Sequence, residues 1–428
     1  PILIGQLGTI VVGFADTAMV GHHSTAELAS ASFVNNLFNV AIFTLLGFSY
    51  GLTPIVGALF GAGKRSDIGA TMRNAIVANL GFGLLVGAIM LAVYFNLGRL
   101  GQPVELLPLI RPYYLIYLSG IVPLALFNAF AQWAYAINRT RMPMWIILIS
   151  NVVNIAGNYA FIYGRWGMPE MGLNGAGVST LLARVFCAVA IIVIFCTRRD
   201  YGIYRAGLKS GKLTGRSLKE ITFTSVPVSL QMGFESGSFT AAAVMAGWLG
   251  ALDLAAYQVT VILGTLGFCI YYSMGAATSI MVANAAGVND RKLMRRTAYA
   301  GYRIILTLAT ISSLIFFFLA RPILTVFTSD PAVIALSLTL IFPLILYQLG
   351  DATQITFANA LRGTSKVMPM MWISLISYVV IGMPATYILA FTCEMGLYGI
   401  ILSFSVSLFI AGALFLYFFQ RATRKTQG

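Results

Sequence analysis

The sequence predicts an all-α integral membrane protein with about twelve transmembrane helices, arranged as two six-helix lobes related by a parallel pseudo-twofold repeat. Three observations predict it. Apolar runs recur along the whole chain, basic residues gather in every second break between the runs, and the second half repeats features of the first at a nearly constant offset.

The apolar runs come first. Of 428 residues 59% are hydrophobic and only 9% are charged, and the mean hydropathy is +0.86. A soluble domain carries about a quarter of its residues as Asp, Glu, Lys and Arg, so a soluble fold could not wet its surface with so few. A bilayer-spanning helix needs roughly 20 apolar residues. Runs bounded by polar breaks place spans near 1–21, 31–60, 70–97, 112–137, 143–163, 173–196, 217–249, 254–286, 297–319, 332–361, 368–391 and 396–419. The chain begins at Pro1 inside the first run without an initiator Met, so the native N-terminus is expected upstream.

The charge pattern orients these spans. The net charge is +14, which by itself is compatible with nucleic-acid binding, but 21 of the 27 basic residues fall in six groupings. These are Lys64, Arg65 and Arg73; Arg139 and Arg141; Arg198 through Lys219; Arg291 through Arg296; Arg362 and Lys366; and Arg421, Arg424 and Lys425. With both termini inside, all six groupings lie on one side, as the excess of Lys and Arg in cytoplasmic loops requires. The opposite loops hold only Arg99, Arg111, Arg165 and Arg321, while Arg184 and Arg303 lie within or at the start of spans. The charge therefore reports topology, with both termini cytoplasmic, and speaks against nucleic acid as a partner; a bacterial inner (cytoplasmic) membrane is the expected location. Cys187, Cys196, Cys269 and Cys393 have none of the paired spacings of metal or redox motifs and read as small buried hydrophobes.

The repeat divides the chain. Sliding the second half back by about 226 positions pairs Pro1 with Pro227, Met19 with Met245, Gly21 with Gly247, Gly61 with Gly287, and Met142-Pro143-Met144 with Met368-Pro369-Met370. An N-lobe over 1–196, a cytoplasmic linker over 197–219 and a C-lobe over 220–428 follow. The linker, rich in Gly and basic residues, has the composition of a connector rather than a folded element. An even number of spans per half makes the repeat parallel, the type of transporter that holds substrate and ion sites near mid-membrane.

Three of the 13 acidic residues fall well inside apolar spans: Asp16, Glu235 and Asp351. A carboxylate at the bilayer centre costs roughly 2.5–3.5 kcal/mol on insertion scales. The structural reading is a helix-to-helix hydrogen bond made by a protonated acid. The functional reading is a cation or proton site, because desolvation favours the neutral acid and a nearby cation the ionised one, so a proton can be exchanged for a cationic drug or Na+. Each charge crossing the membrane is worth about 2.3 kcal/mol per 100 mV, enough to drive export without ATP. Gly57 through Lys64 looks like a phosphate loop but lacks its Gly spacing and its Ser/Thr. In the fifth span Asn151, Asn154 and Asn158 share one helical face, fit for interhelical hydrogen bonds or for ion coordination. No selectivity-filter repeat, His-Glu-x-x-His motif or nucleophile elbow supports a channel or an enzyme.

The run Gly13-Phe14-Ala15-Asp16-Thr17-Ala18-Met19-Val20-Gly21-His22 resembles the first-helix signature of the multidrug and toxic compound extrusion (MATE) transporters. Pro227 to Glu235, and Asp351-Ala352-Thr353-Gln354 through Leu361-Arg362-Gly363, are similar to the matching elements of NorM-like members. The resemblance covers essentially the whole chain. It implies twelve helices in two lobes around a central cleft and antiport of cationic, amphiphilic small molecules against inward Na+ or H+, with no other cofactor and with the chain working as a monomer. By position it assigns Asp16 to an N-lobe site with Asn154, Asn158 and Thr180 as companions, and Glu235 and Asp351 to a C-lobe site for Na+ or H+. Some relatives carry a second acid near the position of Asn158, so the N-lobe here has fewer negative charges. Tyr271 or Tyr272 would face the C-lobe cation through a ring, or serve in packing. His22 and His23 are expected as a solvated pair in the first external loop. The alternative within the superfamily is a flippase for lipid-linked sugars, which favours basic cavity residues; only Arg184 would serve.

Overall fold

Twelve long helices and no strand make up the computed structural model, which describes residues 1–99, 104–328 and 330–424. Lys425 of the last basic grouping lies outside the described residues. The helices are α1 Ile2–His23, α2 Thr25–Gly61, α3 Arg65–Phe95, α4 Leu107–Ala136, α5 Arg141–Ile162, α6 Leu173–Thr197, α7 Gly215–Leu249, α8 Ala251–Gly287, α9 Arg291–Phe327, α10 (Pro331–Thr339 continuing as Ile341–Gly363), α11 Met368–Thr392 and α12 Gly396–Thr423. Ten are each long and apolar enough to cross a membrane, and α10 is so when its two bent halves are taken together. The remaining one, α7, is long enough but carries Gln231, Glu235 and several serines in its middle. The chain is an all-α integral membrane protein.

Proline explains where the spans break. A proline lacks the N–H that would bond the carbonyl four residues earlier. Pro54, Pro123 and Pro343 free the carbonyls of Tyr50, Ser119 and Thr339, and those are the residues at which the first halves of α2, α4 and α10 end. The halves of α10 meet at 53°. In α11 the backbone widens into π-helical turns over Leu375–Gly382 and Ile388–Thr392.

The chain divides into two units, Pro1–Ser229 and Leu230–Gly428, so the division falls inside α7. The first half of α7 belongs to the first unit because Ser225 packs on Gly51 and the Ser229 hydroxyl donates to the Thr44 carbonyl at 2.7 Å. One core of that unit surrounds Phe38, Leu45, Tyr114 and Ile121, and a second surrounds Leu52, Ile68, Trp133 and Ile191. In the second unit Tyr271, Ile305, Ala309, Ala352 and Ile355 form a core where α8, α9 and α10 pack.

Three expectations need correction. The segment 197–219 is not a bare connector: it contains a helix, Gly202–Ser210, seated on α3. Gly69 and Gly207 let the two backbones touch, and the Tyr201 and Tyr204 rings meet Trp133 edge-on at 5.1 and 5.5 Å. Arg362 is not a loop residue; it is buried in the last turn of α10 and donates to Asn359 Oδ1 at 3.1 Å. Of the four cysteines only Cys187 and Cys269 are buried, since Cys196 and Cys393 sit at helix ends, where neighbours thin out.

Candidate functional site

In the first unit α1, α5 and α6 bring together the four residues assigned to the N-lobe. The Asn158 amide donates to Asp16 Oδ1 and, at 3.3 Å, to Asn154 Oδ1, while Asn154 donates to the Thr180 hydroxyl at 3.3 Å. Asn154 and Asn158 are buried one turn apart on the same face of α5, and Asp16 and Thr180 are half-buried on the helices to either side. Asn151, one turn earlier, packs against Gly8 of α1. The first unit thus holds one carboxylate at the end of a chain of amides and a hydroxyl. Replacing Asn158 by Leu removes both of its donated bonds and strands the Asp16 carboxylate. A lost hydrogen bond to a buried charge costs about 1.5–3 kcal/mol, and a fall in detergent melting temperature of several degrees is expected, measured by size-exclusion profiles after heating.

In the second unit α7 and α10 bring Glu235 and Asp351 within electrostatic reach of each other. Gln231, one turn before Glu235 on α7, donates to its Oε2 at 3.4 Å. On α10, Tyr347, Gln348, Asp351 and Gln354 follow at spacings of one to three residues and so line one helical face. Gly267 of α8 has no side chain, which leaves room for the Gln348 carboxamide. Tyr347 from α10 and Tyr378 from the π-helical part of α11 both stand close enough to feel the two acids. Asp351 Oδ2, both Gln348 side-chain heteroatoms, Gln354 Oε1 and the Tyr378 hydroxyl are buried without a hydrogen-bond partner. Buried polar atoms are normally satisfied, so a concentration of orphaned oxygens beside two acids fits a cation or proton bound among them. Arg362 of α10 lies within electrostatic reach of Glu235, and Arg184 of α6 within reach of Asp16.

Tyr271 feels the charge of Asp351, whereas Tyr272 packs its ring on Phe268 at 5.3 Å. Sequence reasoning missed Gln231, Tyr347, Gln348, Gln354 and Tyr378. The first four carry a readable signal, polar residues one turn from an intramembrane acid on the same helical face. Tyr378 has none, because its place depends on how α11 packs. His23 is not a solvated loop residue: it ends α1, with Nδ1 at 2.6 Å from Glu27 Oε2 and Nε2 at 3.1 Å from Glu170 Oε1. The described residues contain no cluster of His, Cys, Asp and Glu that could hold a metal ion.

Long apolar helices that hold three carboxylates and a set of amides within the membrane-spanning segments define a polytopic membrane protein with the polar interior of a transporter. The model of the MatE family matches residues 1–160 and 227–388, and the chain belongs to that family. Its members are transporters, so the chain is a transporter rather than an enzyme. The model of the lipid II flippase MurJ matches the shorter stretch 110–236. The chain is 30% identical over 427 residues to the probable multidrug resistance protein NorM of Geobacillus kaustophilus, covering 99% of this chain and 93% of that protein. It is 29% identical to the protein of the same description from Bacillus subtilis, covering 98% and 92%. Among solved structures it is similar to the eukaryotic MATE transporter AtDTX14, with a TM-score of 0.88 at 18% identity over 99% of this chain and 95% of that one. The Vibrio cholerae MATE transporter VcmN, as its D35N mutant, gives a TM-score of 0.87 at 19% identity over 100% and 95%. These structural likenesses speak for the fold.

Proposed function

We propose that the chain is an antiporter that exports cationic, amphiphilic small molecules across a bacterial cytoplasmic membrane by alternating access, driven by inward Na+ or H+. On this reading both termini are cytoplasmic and 197–219 joins an N-lobe over 1–196 to a C-lobe over 220–428. Glu235 and Asp351 bind the coupling ion, and Asp16 with Asn154, Asn158 and Thr180 forms a second polar site. The observation that carries the reading is the pair of acids in the second unit, which share their surroundings with orphaned oxygens. Two negative charges in a medium of low dielectric need a proton or a cation to be stable there, and such a site discharges when the ion leaves. The proteins named as multidrug resistance proteins support the substrate class.

The test is efflux of a fluorescent cationic dye from proteoliposomes under a Na+ gradient and a proton gradient imposed separately. One gradient alone is expected to drive efflux and thereby to name the ion. Efflux that ignores both gradients overturns the antiport reading. The flippase reading has the match to residues 110–236 in its favour, but Asp16, Glu235 and Asp351 put three acids within the spans, and a pyrophosphate-linked lipid calls for basic groups.

A further inference from the structure

The half-buried guanidinium of Arg184 is a charged group inside a span of the first unit that the ion-coupling reading leaves without a task. Arg184 lies on α6 one turn after Thr180, on the same face. Its guanidinium lies 4.4 Å above the centre of the Tyr117 ring, and Nη1 donates to the Tyr117 carbonyl at a long 3.5 Å. It rests against Gly120, at the break in α4, where an added Cβ would come within 2.7 Å of Nη1. Asp16 and Tyr113 both lie within its electrostatic reach, yet Asp16 is not an ion-pair partner. The Tyr113 hydroxyl donates to Asn35 Oδ1 at 3.4 Å, and Asn35 is exposed.

An arginine has five N–H donors in a planar fork suited to two oxygens of one anion. Here the structure assigns a single long bond to that fork, and the ring beneath it fixes its plane. A guanidinium in a membrane span is costly and as a rule marks a pathway or a partner. Its position at the C-terminal end of the half-helix Leu107–Ser119 is favourable to a cation, but one weak bond leaves the rest of the fork unused. On the same side of the unit the Asp16 carboxylate offers the opposite charge, held apart by its bond to Asn158.

We propose that Arg184 is an anion subsite that sets substrate specificity, so that the first unit takes amphiphiles bearing a carboxylate as well as a cationic group, the carboxylate on Arg184 and the cation towards Asp16. This rests on the reading of the chain as an exporter of cationic amphiphiles and narrows its substrate class.

The test uses two dyes with one xanthylium skeleton, rhodamine 110 with a free carboxylate and rhodamine 123 with that carboxylate methylated. Binding to the purified full chain is followed by fluorescence polarisation, and export by dye loss from proteoliposomes, for the parent, Arg184→Gln and Arg184→Lys. The parent is expected to bind both dyes. In Arg184→Gln the ratio of the rhodamine 110 to the rhodamine 123 dissociation constant rises at least tenfold, and Arg184→Lys restores part of that ratio because it keeps the charge but not the fork. A ratio unchanged in Arg184→Gln, with both affinities falling together or neither, makes Arg184 a helix-break support and overturns the proposal. So does a parent that binds rhodamine 123 but not rhodamine 110. A parent that exports neither dye overturns the export reading instead, and Arg184-dependent binding of rhodamine 110 keeps the subsite standing in that case.

Discussion

Glu235→Gln and Asp351→Asn, made singly, are each expected to lower ion-driven dye efflux at least tenfold. Glutamine keeps the length of Glu235 and still accepts the hydrogen bond from Gln231, so what changes is the charge. The same holds for asparagine at Asp351, whose Oδ2 has no partner to lose. If one ion is held by both acids, removing either already destroys the site. The double variant should then be hardly worse than each single one, the non-additivity shown by groups that act as a unit. Stability moves the other way. A buried carboxylate without a matching cation is a burden on the fold, so both variants should melt no lower than the parent and in ion-free buffer higher. Loss of coupled efflux with retained or raised thermal stability separates a functional acid from one that merely joins two helices, where efflux and stability would fall together. Parental efflux rates in both variants overturn the assignment.

The spans and the acids were legible for the same reason. A run of twenty apolar residues, or one carboxylate inside such a run, is a local property, and the cost of charge in lipid gives it meaning without knowledge of any neighbour. Asp16, Glu235 and Asp351 stand out in this way, and so does the Asn151, Asn154 and Asn158 face. The bond between Asn158 and Asp16 joins residues 142 positions apart, and no spacing rule reaches across α1 and α5. Tyr378 is equally silent in sequence, one aromatic among many, until α11 folds against α12 and stands within reach of both acids. Arg362 misled because a basic residue at the end of an apolar run reads as a loop residue, whereas its guanidinium is turned inward onto Asn359. The helix Gly202–Ser210 was hidden by composition. It buries Tyr204 and Gly207 on one side and exposes Lys209 on the other, so its average character is that of a polar linker although one face is not.

That helix carries the second large expectation. At its crossing with α3, a Cβ on Gly207 would meet the Ser66 carbonyl and stand 3.0 Å from Gly69 Cα, and a Cβ on Gly69 would meet the Tyr204 carbonyl. These are backbone atoms, which cannot swing aside as a long side chain can. Gly207→Val must therefore lift the helix from α3. Three further bonds depend on the same seat: Arg73 donates to the Gly211 carbonyl at 2.9 Å, the Asn74 amide to the Lys212 carbonyl at 3.1 Å, and Thr214 N–H to Asn74 Oδ1 at 3.0 Å. Trp133, fully buried under Tyr201 and Tyr204, loses its cover as well, and large losses of aromatic packing cost about 3–5 kcal/mol. The segment from Arg198 to Lys219 is dense in Lys and Arg, and trypsin cuts only after such residues when the chain around them can open. Cleavage there is expected to be at least tenfold faster in Gly207→Val than in the parent, with the two products each retaining their helical content by circular dichroism. A cleavage rate equal to that of the parent would mean that the connection between the halves is held by something other than this crossing, and that its basic residues are no better ordered than their composition suggests.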